Sequence, residues 1–238
     1  MKRKFGISLL FVVMLLFSLI TTTLAKDDSS DWLVPPDHKY AGKTYEEWGG
    51  LFWQYALTLP DSVTFYSFFS GANCIDTNQH YDVYFLAGSW SGPLTRNCTI
   101  PADKPLFFPL VNQGYFEIPK YYNPPTYSPK TIVKDLNKTL NQKSGTTAYA
   151  SVDGKPIVST RNQMEFFSVT DYKHPYSVVW PSYGADLGGY PGEIYEIFQG
   201  GYYVMLKLSP RSAPYTIKFG GNQPGNQQDL TYNITVTK

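Results

Sequence analysis

Residues of the kinds that act as nucleophiles, bases or metal ligands are few in this sequence and form no recognisable motif. The segment Gly88-Ser89-Trp90-Ser91-Gly92 has the glycines of a nucleophile elbow, but its central residue is Trp90, so no serine hydroxyl stands at the apex of the turn. Asp76 and His80 are four residues apart, a spacing that a helix would align, but their surroundings predict a loop and no third ligand is fixed by spacing. The sequence therefore predicts neither a metal site nor a cofactor.

Carboxylate side chains leave one catalytic alternative open. Glycoside hydrolysis needs two carboxyl groups about 5–9.5 Å apart, a distance that linear spacing does not establish. Four acidic residues stand in or beside predicted loops in the second half of the chain, namely Asp171, Asp186, Glu193 and Glu196. A secreted hydrolase that acts on glycans, with its acids drawn from these four, is therefore an alternative function.

Aromatic residues are the most abundant unusual feature, with 20 Tyr, 15 Phe and 5 Trp in 238 residues. Aromatic rings stack on the apolar faces of sugars, while Tyr and Trp keep a polar tip for hydroxyl groups. The aromatics that fall in predicted loops or turns are Trp90, Tyr121, Tyr122, Tyr127, Trp180 and Tyr183. We predict a non-catalytic binding protein that uses these side chains, with carbohydrate as its ligand class. An extracellular protein-interaction or coat protein is the third alternative.

The charge balance argues against two other classes of partner. The chain has a formal net charge of +1 and shows neither a basic stripe nor an acidic tail. Binding to nucleic acid or to an anionic membrane surface usually needs a concentrated basic patch. We therefore expect no nucleic-acid partner.

The first 25 residues have the pattern of a secretory signal. Basic residues at 2–4 are followed by an apolar run over 7–20 and by small residues up to Ala25. We expect cleavage after Ala25, a flexible lead-in over 26–40 and a single domain over 41–238. The protein is thus predicted to be secreted or extracytoplasmic, with no membrane span once the signal is removed.

The cysteines and three asparagines fit this compartment. Cys74 and Cys98 form no C-x-x-C or Cys-His pair, so a disulfide is the simplest prediction for them in a secreted chain. N-x-[ST] triplets begin at Asn97, Asn137 and Asn233, which are N-glycosylation acceptors if the host is a eukaryote.

Two helices are predicted around the regions that carry these residues. Thr44 and Glu47 form a capping box before aromatic residues at three- and four-residue steps, and Pro60 ends that segment. Ser128 is a candidate N-cap with Pro129 at the first helical position, and an apolar face follows over 132–140. Because the first helix is apolar on more than one face, we expect it to be well buried.

Short β-branched and aromatic segments make up most of the remaining chain. An Asp153-Gly154 turn predicts a hairpin, and a long Tyr/Pro loop is predicted over 114–129. The spacing of these segments favours a mainly β fold, an antiparallel β-sandwich decorated by two α-helices and held by one disulfide. Strands are predicted over 63–69, 82–89, 106–111, 146–152, 155–160, 164–169, 176–180, 194–198, 202–208, 215–219 and 230–236.

Three blocks of the sequence carry a resemblance: residues 42–55, residues 85–88 with 96–109, and residues 201–210 with 215–221. Together they resemble a family of uncharacterised secreted proteins known mainly from bacterial genomes. The family pattern has Trp-Gln-Trp where this chain has Trp53-Gln54-Tyr55. The resemblance implies a single secreted domain with a cysteine pair, and it implies no activity.

Overall fold

The computed structural model describes residues 32–59, 70–77, 79–90, 92–117, 128–158, 167–169, 176–179 and 194–238. Within these ranges the chain is mainly β, with two five-stranded sheets and two α-helices. The helices are α1 (Tyr45–Leu57) and α2 (Pro129–Leu140), and a 3-10 turn spans Gln142–Ser144. The strands are β1 (Tyr84–Phe85), β2 (Pro93–Pro101), β3 (Leu106–Glu117), β4 (Thr147–Val152), β5 (Lys155–Val158), β6 (Phe167–Val169), β7 (Tyr176–Val179), β8 (Ile194–Leu206), β9 (Tyr215–Gln223) and β10 (Asn226–Thr237).

The capping signals of both helices are confirmed. The Thr44 hydroxyl accepts from the Glu47 N–H at 3.2 Å, and the Glu47 carboxylate accepts from the Thr44 N–H at 2.7 Å. Ser128 caps α2 with Pro129 in the first turn. Helix α1 buries Trp48 and several further aromatic side chains on more than one face, as predicted from its sequence.

The first sheet has the order β1-β3-β8-β6, and β7 also pairs with β8. The predicted strands 194–198 and 202–208 are parts of the single strand β8, which runs through Gly200 and Gly201 without a turn. At Gly201 a Cβ atom would lie 2.6 Å from the Val111 carbonyl oxygen, so glycine is required there by close approach of the neighbouring strand. The two glycines were misread because glycine more often marks a turn.

The second sheet has the order β2-β10-β9-β4-β5. Strands β2 and β10 are parallel over nine residue pairs, and β1 and β3 are also parallel. The predicted mainly β fold is therefore confirmed, but its two sheets are mixed rather than antiparallel throughout. Strand β2 was not predicted because its inward side chains include Arg96, which is fully buried and breaks the apolar alternation that identifies a strand.

Aromatic side chains join the two sheets. The rings of Phe108 on β3 and Phe219 on β9 have centroids 4.4 Å apart, and Phe219 stacks on Tyr232 of β10 at 5.6 Å. The alternation predicted for β9 and β10 is confirmed, since Ile217 and Ile234 are buried on the same inner face. This packing leaves the opposite face of the second sheet to solvent.

The segment predicted as a strand over 82–89 pairs only at β1. Beyond it, the carbonyls of Ala87 and Gly88 accept hydrogen bonds from the Arg96 guanidinium instead of from a neighbouring strand. The chain there is buried but leaves the ladder, because a side chain supplies the donors that a strand would otherwise supply.

Residues 32–40 of the predicted lead-in contact the domain. The Val34 N–H donates to the Met205 carbonyl at 3.0 Å, and the Lys207 N–H donates to the Trp32 carbonyl at 2.7 Å. The Tyr45 hydroxyl on α1 also donates to the Val34 carbonyl at 2.6 Å. Backbone pairing along β8 therefore holds this part of the lead-in in place, and residues 26–31 lie outside the described residues.

Two further predicted segments, a hairpin and a loop, lie at least partly within the described residues. The Asp153-Gly154 hairpin is confirmed, with φ of 50° at Asp153 and 79° at Gly154 as a tight two-residue turn needs. Residues 114–117 of the predicted Tyr/Pro loop belong to β3 instead. The rest of that loop and the predicted strand 63–69 lie outside the described residues, except for Ser128 and Pro129.

Candidate functional site

The outward side of the second sheet is a polar, solvent-exposed surface, which we call the polar face. Strands β2, β10, β9 and β4 alternate buried and exposed residues, so each contributes a row of outward side chains. Its members are mostly hydroxyl, amide and charged groups: Thr95, Asn97, Thr99, Thr147, Tyr149, Ser151, Thr216, Lys218, Asn222, Asp229, Thr231, Asn233 and Thr235.

Tyr149 is the large aromatic residue of the polar face and is 39% exposed. Its strand partner is Gly220, whose own partner on β10 is Asp229, so the three residues form one row across three strands. The Tyr149 hydroxyl donates to Asp229 Oδ1 at 2.6 Å. Since this hydrogen bond reaches from β4 to β10, the ring must lie along the sheet over Gly220 rather than project from it.

Gly220 leaves the space that this arrangement needs. A Cβ atom at Gly220 would lie 2.2 Å from the Gln228 carbonyl oxygen and 3.0 Å from the Tyr149 hydroxyl oxygen. A larger residue would therefore displace the tyrosine from its position across β9.

Burial and then the hydrogen bond to Asp229 raise the pKa of Tyr149 above its ordinary value. The hydroxyl therefore stays protonated, and continues to donate to Asp229, at alkaline pH values at which an ordinary tyrosine ionises. The tyrosine ring is thus fixed at one end while much of its surface remains open to solvent.

Trp90, which the sequence singled out, is 40% exposed and lies in the bend before β2. The N–H of the preceding residue, Ser89, donates to Gln228 Oε1 at 2.8 Å, and Gln228 Nε2 donates to the Leu110 carbonyl at 2.9 Å. These bonds attach the Trp90 bend to the end of β10 that carries Asp229. Trp90 and Tyr149 are the exposed large hydrophobic side chains of the described residues.

The structure does not test the other predicted site residues. Tyr121, Tyr122, Tyr127, Trp180 and Tyr183 all lie outside the described residues. The same holds for three of the four acids of the hydrolase alternative, Asp171, Asp186 and Glu193, and for the side chain of Glu196, whose backbone belongs to β8.

Sequence reasoning missed Tyr149 and Asp229. Residues 147–152 alternate small or polar residues with apolar ones, and Tyr149 falls in the polar set with Thr147 and Ser151. An aromatic residue in the polar phase of a strand is a signal for a surface ring. Asp229 carries no such signal, because its role depends on the pairing of β10 with β9.

A buried polar cluster supports the loops beside this face. Arg96 Nε donates to the Gly71 carbonyl at 2.8 Å and Nη1 donates to the Ala87 carbonyl at 3.0 Å, while the guanidinium carbon lies 5.5 Å from the Tyr232 ring centroid. Tyr232 also donates through its hydroxyl to the Ala87 carbonyl at 2.8 Å. Because these acceptors are mainly backbone carbonyls, we assign the cluster a structural role.

The predicted disulfide is confirmed. Cys74 and Cys98 are joined, with their Cα atoms 5.3 Å apart, and this bond attaches the segment 70–77 to β2. In the same segment, the Asp76 carboxylate accepts a hydrogen bond from the Tyr84 hydroxyl. Cys98 points inward while its neighbour Asn97 points to the polar face.

The three sequon asparagines lie at described positions. Asn97 is exposed, and its side-chain oxygen accepts from Asn233 Nδ2 at 2.9 Å. Asn137 is exposed on α2, where its Nδ2 donates to the Val133 carbonyl at 2.9 Å. Glycosylation of these asparagines stays a prediction.

A small cavity lies between α2 and β3. It has a volume of about 220 Å³ and is lined by Gln113, Tyr115, Ile132, Asp135, Leu136 and Thr139. Pockets for drug-sized ligands are commonly about 300–1,000 Å³, so this cavity suits at most a small molecule.

Within the described residues no three His, Cys, Asp or Glu side chains are grouped so that they could hold a metal ion. The helices of that part of the chain are all too short or too polar to cross a membrane. Comparisons of the sequence and fold with protein-family models, curated proteins and solved structures gave no match. The family resemblance described above therefore stays a prediction.

Proposed function

We propose that the protein is a non-catalytic carbohydrate-binding protein that acts outside the cytoplasm. The observation that carries this proposal is the exposed ring of Tyr149, which lies across Gly220 and is held by Asp229 on a face of hydroxyl and amide side chains. The disulfide between Cys74 and Cys98 supports an oxidising compartment. We further propose that the two sheets form a sandwich that presents this face.

A ring that lies along a sheet surface suits the apolar face of a pyranose. Stacking on the ring supplies apolar contact, while neighbouring polar groups exchange hydrogen bonds with the equatorial hydroxyls of the sugar. Asp229 accepts from Tyr149 through Oδ1, and a carboxylate has further lone pairs that can accept from a sugar hydroxyl. Tyr149 and Asp229 thus provide both parts of a sugar site.

The surroundings of this pair favour a sugar over a protein partner. Stable protein interfaces usually have a buried apolar centre, whereas Tyr149 is surrounded by Thr, Asn, Ser and Lys side chains. Trp90 supplies a second exposed ring at the same end of β10.

Co-sedimentation with insoluble cellulose, chitin and peptidoglycan tests the proposal. The oxidised protein is expected to bind one of them saturably, and Tyr149→Ala is expected to weaken binding at least tenfold by loss of the stacking ring. Tyr149→Phe keeps the ring and loses the bond to Asp229, so it should weaken binding less. Unchanged thermal stability of both variants would show that the fold is retained.

Two outcomes would redirect the assignment. Release of soluble sugar by the wild-type protein would favour the hydrolase alternative with Asp171, Asp186, Glu193 or Glu196 as its acids. Binding that is equal in the wild-type protein, Tyr149→Ala and Trp90→Ala would contradict the site, and no binding to any of the three polymers would contradict carbohydrate as the ligand class.

A further inference from the structure

Strands β2 and β10 carry the same outward pattern in exact lateral alignment. Residues 94–99 read Leu-Thr-Arg-Asn-Cys-Thr and residues 230–235 read Leu-Thr-Tyr-Asn-Ile-Thr, so both follow L-T-x-N-x-T. The parallel register pairs Thr95 with Thr231, Asn97 with Asn233 and Thr99 with Thr235. We call these six side chains the Thr/Asn array.

The array is regular in two directions. Neighbouring strands are about 4.8 Å apart, and outward residues on one strand recur about every 6.7 Å. Thr95, Asn97, Thr99 and Thr235 are exposed, and Thr231 and Asn233 are half-buried. All six side chains are uncharged, and each offers a hydroxyl or amide that can donate and accept.

Bonds on both sides of the sheet fix this alignment. On the outer side, Asn233 Nδ2 donates to Asn97 Oδ1 at 2.9 Å. On the inner side, the Arg96 guanidinium donates to the Tyr232 hydroxyl, and these two residues are also register partners. The buried inner face already specifies the register of these strands, and the two cross-strand bonds further hold the threonines opposite each other.

The array continues directly from the Tyr149 site. Asp229, which holds the Tyr149 hydroxyl, is two residues before Thr231 on the same face of β10. From Asp229 to Thr235 the strand extends about 20 Å, which is longer than a disaccharide. A ligand stacked on Tyr149 and aligned with β10 would therefore lie over the array.

We propose that the Thr/Asn array is an extended subsite for a linear polysaccharide of neutral sugars, which lies along β2 and β10 from the Tyr149 ring. This inference rests on the proposed function and adds the length and charge of the ligand. Thr95 and Thr231 lie at one end of the array, and Thr99 and Thr235 lie about 13 Å further along the strands. A sugar chain that contacts both threonine pairs must therefore be longer than a disaccharide. Uncharged array members favour neutral or N-acetylated hexoses over acidic ones.

Calorimetric titration with sugars of two lengths tests the array. The probes are cellobiose and cellohexaose, with chitobiose and chitohexaose as the second pair. The wild-type protein is expected to bind the hexasaccharide of one pair at least tenfold more tightly than its disaccharide. The double variant Thr95→Val/Thr231→Val keeps strand propensity and loses two hydroxyls, so hexasaccharide affinity should fall about tenfold while disaccharide affinity stays within about twofold.

Thr77→Val is the matched control, because Thr77 is an exposed threonine that lies outside the polar face. It should leave the hexasaccharide affinity unchanged. If the double variant keeps the full preference for the hexasaccharide while Tyr149→Ala abolishes binding, the array is refuted and the Tyr149 site stands. If the wild-type protein binds none of the four sugars, the array is refuted, and the proposed ligand class is refuted as well if the protein also sediments with none of the three polymers.

Discussion

Replacement of Arg96 by methionine would remove the buried guanidinium that ties β2 to two loops. Its nitrogens donate to the carbonyls of Gly71 at 2.8 Å, Ala87 at 3.0 Å and Gly88 at 3.3 Å, and to the Tyr232 hydroxyl. The side chain is fully buried, so water does not replace these donors without rearrangement. Methionine fills a similar volume and makes the loss mainly one of hydrogen bonds.

The size of the effect follows from which acceptors lose a donor. The Ala87 carbonyl keeps the Tyr232 hydroxyl as a donor at 2.8 Å, whereas the carbonyls of Gly71 and Gly88 lose the one from Arg96. A buried polar group that loses its partner costs about 1–3 kcal/mol, and removal of a buried charge offsets part of that cost. We therefore expect Arg96→Met to lower the free energy of unfolding by about 3 kcal/mol.

Urea unfolding followed by tryptophan fluorescence, with the disulfide intact, measures this loss. Lys218→Met is the matched control, since it replaces a basic residue on the exposed face of β9 and should change the free energy of unfolding by less than about 0.5 kcal/mol. If Arg96→Met falls within about 0.5 kcal/mol of that control, the guanidinium does not hold the loops as described.

Two further predictions concern stability. The free energy of unfolding of the Cys74→Ala/Cys98→Ala variant should be lower by about 3.5 kcal/mol, because the disulfide closes a loop with a sequence separation of 24. An equal urea midpoint for the variant and the wild-type protein would contradict this. The hydrogen bond from Arg211 holds the pKa of Asp153 below its usual range. Since the unfolded pKa is about 3.9, this carboxylate adds stability above that pH and loses its contribution as the pH falls through the lower folded value. Asparagine tolerates the positive φ at this position, so Asp153→Asn removes the charge without backbone strain. The variant should show a smaller difference in unfolding free energy between pH 6 and pH 3 than the wild-type protein. An equal difference would refute the stabilising role of the Asp153 carboxylate.

Local signals predicted the elements whose determinants are local. The capping box at Thr44 and Glu47, the Pro129 start of α2 and the Asp153-Gly154 turn each act within a few residues, and the structure confirms all three. The cysteine pair was predictable because the chain contains only two cysteines.

Elements that depend on tertiary partners were predicted less well. Strand β2 was missed because Arg96 occupies a core position that Tyr232 and carbonyls distant in sequence make acceptable. Strand β8 was predicted as two strands because Gly201 suggested a turn. Glycine is required there because β3 approaches closely, and the sequence of β8 alone does not reveal that neighbour.

The candidate site likewise has one residue that local sequence signals predicted and others that depend on strand pairing. Trp90 was found from its glycine-flanked turn, and the structure places it in an exposed bend. The Tyr149–Asp229 pair joins residues 80 positions apart through the order β10-β9-β4, so strand pairing had to be known before the two could be related. Parallel pairing of β2 and β10 likewise had to be known before the two L-T-x-N-x-T segments could be placed side by side.

Amide chemical-shift mapping during titration with chitohexaose and with cellohexaose locates a bound sugar, and so tests whether the polar face is the carbohydrate site. We expect one of the two sugars to shift the amides of Tyr149, Gly220 and Asp229 and those of the residues that follow along β10. Shifts confined to the cavity between α2 and β3, at Gln113 and Asp135, would show that the sugar binds elsewhere and would contradict the assignment of the polar face.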